Sequence, residues 1–489
     1  MSGIGHPTRT VAVSLSLVVA LTLASTAQQR DRSQIDEKYT WNLSEIYPSD
    51  AAWRQAKDKL AASLPGLEAY KGTLGQSPSR LADALDELYG LAKELSRTFV
   101  YASMMSDQDT RVAEYQGMKQ EMLQLASNFS AAAAFLEPEI LAVGQTKVDE
   151  FVAAEPRLAV HHQYLDDILR RRDHTLSDAE ERLLASAGLV ASAPSTIFNI
   201  FANADFPYPE VTLGDGKTVQ LDAAGFGFYR TVPNRADREK VMSAFFGALG
   251  QYRGTFGALL GSQIQSDVFF ARSRGYGSSL EAALDGPNIP TSVYSRLVDG
   301  VNEHLPTFHR YLNLRKRMMG LSELHYYDLY APLVASVDLS YTVEEAESNI
   351  LDALRPLGDE YRTALVKAFN ERWIDMYPSP GKAAGAYSSG GAYDVHPYML
   401  INYNGKYSDM STVAHELGHA MQSYFSNKTQ PYPLASYPIF VAEVASTFNE
   451  ALLIDHMLTT MDDSDVKLSL LGNYLENIKG TVFRQTQFA

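Results

Sequence analysis

The chain has 489 residues, no cysteine, 42 basic against 58 acidic side chains and a formal charge of -16. Its 45% hydrophobic and 20% charged content can furnish a large buried core, which excludes intrinsic disorder, collagen-like sequence and a coiled-coil rod. Without thiols there is no disulfide scaffold, zinc knuckle, iron–sulfur cluster or cysteine nucleophile, so a metal must be held by His, Asp or Glu; the acidic balance argues against nucleic acid or an anionic membrane surface as partner.

In chain order, Arg9 precedes an apolar run over residues 11–24, and the small residues Ser25 and Ala27 follow. That pattern predicts a signal peptide over 1–27, cut near Ala27, and a secreted or periplasmic mature chain without stable membrane contact. An uncleaved N-terminal anchor is the alternative, although the run falls short of the about 20 residues a span needs. Helical spacing follows over 51–69, 79–98, 107–134 and 177–193, giving an N-terminal helical domain over 28–200. Two β-branched runs, 210–213 and 218–221, flank Gly214-Asp215-Gly216 and predict a hairpin. Helices resume over 235–274, 291–320 and 342–374 in a second domain, 201–489. A Gly/Ser/Tyr-rich loop over 385–391 then leads to an apolar strand, Tyr398 to Tyr403, closed by Asn404-Gly405.

Residues 415–419 read His415-Glu416-Leu417-Gly418-His419, the pattern H-E-x-x-H. On a helix, positions i and i+4 share a face, so both imidazoles can reach one zinc ion. Glu416 is turned toward a water on that metal and is placed to act as general base. Ser411 and Thr412 offer N-caps for this helix. Gly418 costs about 1 kcal/mol inside a helix, which points to another element packed close against it. A third ligand is needed, and Glu443, 24 residues after His419 in a second apolar helix, supplies it after a turn. Glu450 lies two turns further along, with Ser446 between, as a carboxylate that orients a ligand imidazole. The strand from Tyr398 to Tyr403 immediately precedes the zinc helix, and its edge is expected to pair with substrate backbone through Tyr398, Asn402, Tyr403 and Asn404. His161-His162, His304 and His309 read as packing or surface residues.

The run Gly385-Ala386-Tyr387-Ser388-Ser389-Gly390, His396-Pro397-Tyr398 and Asn402-Tyr403-Asn404-Gly405, together with the zinc motif and Ala442-Glu443-Val444-Ala445-Ser446-Thr447-Phe448-Asn449-Glu450, closely resembles oligoendopeptidase F of the thimet oligopeptidase family. Trp41-Asn42-Leu43-Ser44, Ala271-Arg272-Ser273-Arg274-Gly275-Tyr276 and Tyr327-Asp328-Leu329-Tyr330 extend the resemblance over nearly the whole mature chain. It implies a mainly α, multi-helical, two-lobed zincin-type peptidase around a deep channel, with a small β-sheet next to the H-E-x-x-H helix. It also implies one Zn2+ on His415, His419 and Glu443, Glu416 as base, and cleavage of internal bonds in short peptides. Members of the family continue beyond the segment 483–489 with a His and tyrosines that stabilise the oxyanion. Loss of one such donor costs about 10²–10³ in turnover, so the chain is expected to be either a peptidase or a catalytically impaired peptide-binding protein.

Overall fold

Local chemistry starts the first long helices. Ser49 Oγ accepts the Ala52 N–H and opens the helix Asp50–Ser63; Ser77 does the same for Arg80 and opens Pro78–Gln108. Pro78 sits in the first turn, where its missing N–H leaves no bond unmade. The computed structural model describes residues 31–334 and 340–489; the signal-peptide reading of residues 1–27 lies outside them. The described residues are mostly helical with two small sheets, and no described helix is long and apolar enough to cross a membrane.

Several expected helices are divided. The stretch 107–134 begins inside Pro78–Gln108 and continues as Ala113–Ala133 after a turn at Asp109. The stretch 235–274 breaks at Tyr252 into Arg235–Gln251 and Arg253–Ser273, where glycines at 250 and 254 weaken helical preference. Pro306 divides 291–320 into Thr291–Glu303 and Leu305–Met318, because its ring cannot continue the preceding turn. Gly358, at φ 92°, separates Val343–Ala353 from Asp359–Asn370, and Trp373 leads into a strand rather than more helix.

The hairpin is antiparallel, β1 (Glu210–Thr212) against β2 (Thr218–Gln220), with Val211 opposite Val219. The second sheet has the order β3 (Ile374–Asp375), β5 (Tyr398–Leu400), β4 (Tyr387–Ser389); β3 is parallel and β4 antiparallel to the central β5. Side chains on β5 alternate between two cores. Met399 joins Ile374, Val413, Leu417, Met421 and Leu453 under the helix Tyr407–Thr429. Tyr398 and Leu400 pack with Trp41, Trp53, Tyr101 and Met104 from the N-terminal helices. The boundary expected near residue 200 therefore does not separate two cores: helices from before it cover one face of the sheet that carries the site. The segment before Asp50 is also tied to this sheet, through Arg32 to Asp375 and through the Tyr39 carbonyl, which accepts the Met376 N–H.

Candidate functional site

The motif helix is Tyr407–Thr429, and it starts earlier than the caps proposed at Ser411 and Thr412. Asp409 carries the start: its carboxylate accepts the N–H groups of Asn404 and Lys406 at 2.9 and 3.0 Å. Ser411 and Thr412 lie within the first turns instead. The second helix, Ile439–Thr460, crosses it at Gly418. A Cβ on Gly418 would lie 2.5 Å from Ser446 Cα and 2.7 Å from the Ala445 carbonyl group, so the expected close approach is there and its partner is backbone. Gly418→Ala is expected to lower stability by about 1–3 kcal/mol, because neither helix backbone can yield without repacking. Thermal unfolding measures this, and an unchanged melting temperature would show that the helices have room to part.

This crossing brings His415, His419 and Glu443 together, with one ligand atom from each lying within 4.8 Å of the others. His415 Nε2 and His419 Nε2 are 3.2 Å apart, and Glu443 Oε2 is 3.4 and 3.5 Å from them. Ligand atoms about 2.0–2.1 Å from a tetrahedral zinc ion are separated by about 3.3–3.4 Å. The triangle fits one such ion without rearrangement. Two half-buried imidazoles and a carboxylate are also the donor set of hydrolytic zinc sites, which leave a fourth position for water.

Each ring is held from behind. His415 Nδ1 lies 3.6 Å from Glu450 Oε1, and Asn477 donates to the other Glu450 oxygen at 3.4 Å. The Ala442 carbonyl bonds the His419 ring. Ser446 Oγ donates to Glu443 Oε2 at 2.8 Å. These partners fix tautomer and orientation so that the Nε2 atoms converge. Burial pushes the His415 ring down, but the adjacent Glu450 carboxylate, with Glu416 and Glu443, outweighs it and leaves the ring above its ordinary value. Burial and the neighbouring His415 hold His419 below its own.

Glu416 is buried, 7% exposed. Burial lifts its carboxyl above the usual range, with Glu443 and Glu450 adding to the rise against the pull of His415 and a backbone hydrogen bond from Ser388. Ser388 belongs to β4, the edge strand. Met399 and Ile401 send their N–H groups to the β3 side, at Trp373 just before the strand and Asp375 within it; by alternation Leu400 bonds β4 at Tyr387, and the Ser388 N–H and carbonyl point away from the sheet toward the motif helix.

That topology corrects the expected substrate edge. β5 has strands on both sides, so the segment starting at Tyr398 offers no free edge. Tyr398 is fully buried and its hydroxyl donates to the Asn42 carbonyl at 2.8 Å; the Tyr403 hydroxyl, also buried, donates to the Tyr341 carbonyl at 2.9 Å. Asn402 donates to the carbonyls of Ala383 and Gly385, and Asn404 to that of Asn402. All four side chains brace the loop and sheet. The free edge beside Glu416 is β4.

Glu443 differs from expectation in its surroundings. Its side chain is 57% exposed, and the apolar neighbours Phe440, Val444 and Phe448 are exposed as well. What brings it to the imidazoles is the helix crossing, not burial. Sequence reasoning missed the Ala442 carbonyl and the Ser388 N–H, both backbone groups without a side-chain signature. It also missed Asn449, although Glu443, Ser446, Asn449 and Glu450 form a polar stripe at helical spacing in an apolar helix, and that stripe was the available signal.

Comparison with known proteins agrees with this geometry. The model of peptidase family M3 matches residues 228–489, and that of oligopeptidase F matches residues 139–208. The oligopeptidase PepF of Bacillus subtilis is 40% identical over 462 residues, 94% of this chain and 69% of that protein. A solved structure described as a peptidase of Chlamydophila abortus is 35% identical with a TM-score of 0.84, over 94% of this chain and 77% of that one. Oligoendopeptidase-F from Enterococcus faecium is 33% identical with a TM-score of 0.65, over 90% and 73%. With the H-E-x-x-H helix, the crossing helix and the family match spanning both, the chain belongs to peptidase family M3, in its oligoendopeptidase F group of metallopeptidases.

Proposed function

We propose that the protein is a zinc-dependent endopeptidase that cleaves internal bonds of short oligopeptides outside the cytoplasm, with His415, His419 and Glu443 holding one Zn2+ and Glu416 as general base. The observation that carries this reading is the triangle of 3.2, 3.4 and 3.5 Å among the three ligand atoms, with a buried carboxylate on the adjoining residue. Zinc held there supplies a Lewis acid that acidifies a water and polarises the scissile carbonyl.

The remaining work falls to the chain. Glu416 takes the proton of the attacking water, and its raised carboxyl brings it nearer the neutral range where a base of this kind is most effective. Once protonated, it passes that proton to the leaving amine, on the same side of the cleaved bond. The Ser388 N–H holds the carboxylate against rotation. The outward-facing carbonyl of β4 accepts from the substrate backbone, which adds as a further strand. Recognition through backbone groups leaves side-chain selectivity weak, in keeping with oligopeptides as partners. The acidic balance speaks against nucleic acid, and the arginine, apolar run and small residues before residue 28 support export by a cleaved signal.

An internally quenched peptide tests the reading. Cleavage is expected to stop with a zinc chelator and to return on adding back one equivalent of zinc, since no other donor set of this kind converges among the described residues. Zinc-loaded protein that binds the peptide without cutting it would establish a peptide-binding protein instead.

A further inference from the structure

Asn449 is 1% exposed and carries no charge, and its side-chain hydrogen bonds run to Tyr361 and Ala414 rather than to the His or Glu side chains of the site. Its amide nonetheless joins three helices. Nδ2 donates to the Ala414 carbonyl at 3.0 Å, on the residue just before His415. Oδ1 accepts the Tyr361 hydroxyl at 3.0 Å, from the helix Asp359–Asn370. The Tyr361 ring is fixed in turn by stacking on Phe425 of the motif helix, 5.9 Å between centroids at 17°.

The crossing explains why such a hook is needed. At Gly418 the two helices meet backbone to backbone, with no side chain from Gly418 keyed between them. That contact sets the distance between the helices but places no side chain against rotation at this point. Rotation of Ile439–Thr460 about its axis would swing Glu443 away from both imidazoles and Glu450 away from His415 Nδ1. Asn449 lies beside Glu450 and under two turns from Glu443, on the same stiff helix, and its bond ends beside His415.

We propose that Asn449, braced by Tyr361, is a positioning residue that fixes the rotation of the Glu443 helix against the motif helix and so sets the geometry of the metal triangle. The inference rests on the metal-site reading above. It acts through the ligands rather than on substrate.

The test is zinc affinity of the full chain, by competition with a chromophoric chelator, beside the melting temperature of the metal-free protein. Asn449→Leu is expected to weaken zinc binding about 10–100-fold, the range for outer partners of metal ligands, and also to lower the metal-free melting temperature, since the half-buried Tyr361 hydroxyl loses its acceptor. The double variant Asn449→Leu/Tyr361→Phe removes that orphaned hydroxyl. Its metal-free melting temperature is expected to recover while zinc binding stays weak. Recovery of both together would mean that Asn449 only stabilises the fold, and would overturn the proposal. So would wild-type affinity in Asn449→Leu. Absence of zinc binding by the wild type, with no difference from His415→Ala, would instead remove the metal reading itself and this inference with it.

Discussion

Glu416→Gln is expected to lower kcat by about 10²–10⁴-fold, the contribution of a positioned general base, while leaving zinc content and melting temperature at wild-type values. The substitution keeps volume and the oxygen that accepts the Ser388 N–H, so the backbone of β4 has no reason to move. It removes only the ability to take and return a proton. Three observations make this the largest functional effect. The side chain is buried, its carboxyl stands above the usual range, and it adjoins His415, whose Nε2 forms one corner of the triangle. Steady-state kinetics on a quenched peptide, with metal analysis of the same preparation, reads the outcome. Turnover within tenfold of wild type would show that another group carries the proton. An equal loss of zinc would show that Glu416 serves the metal rather than the reaction.

The cluster that could hold a metal was legible because most of its spacing is a property of one helix. His415, Glu416 and His419 take their relative positions from the 3.6-residue repeat alone, and Glu443 follows from the need for a third ligand on a returning helix. The substrate edge was not legible, because strand order belongs to the sheet and not to any one strand. Tyr398-Met399-Leu400-Ile401 is apolar at every position, which is how a strand covered on both faces reads; that pattern could have assigned it to the centre. Tyr387-Ser388-Ser389 carries no strand signal and lies in a segment that reads as loop, yet it forms the edge beside Glu416. Helix breaks at Tyr252 and His304 were hidden by continuous apolar spacing, although Gly250, Gly254 and Pro306 stood beside them.

Lys382→Met is expected to cost about 3–5 kcal/mol of folding stability, the usual penalty for breaking one side of a buried ion pair. Lys382 has no exposed side-chain surface, and its Nζ lies 2.6 Å from Asp375 Oδ1, itself 1% exposed. It also donates to the carbonyls of Asp375, Tyr377 and Ile401. One ammonium therefore closes the ends of β3 and β5, and through Asp375 and Arg32 it holds the start of the described chain to the same sheet. Burial pushes Lys382 below its ordinary value of 10.5, with Asp375 pulling part of the way back. The unfolded chain then holds this proton more tightly than the folded one. The burial cost is fully present below the folded value, and wild-type stability gains a component as pH rises toward 10.5, a gain absent from Lys382→Met. Denaturant unfolding at neutral and alkaline pH measures both effects. Lys382→Met/Asp375→Leu is expected to recover only part of the loss, because it removes the buried carboxylate but also takes away the partner of Arg32. A single-variant loss under about 1 kcal/mol, the worth of a surface pair, would mean that the sheet beside Glu416 is held without this lysine.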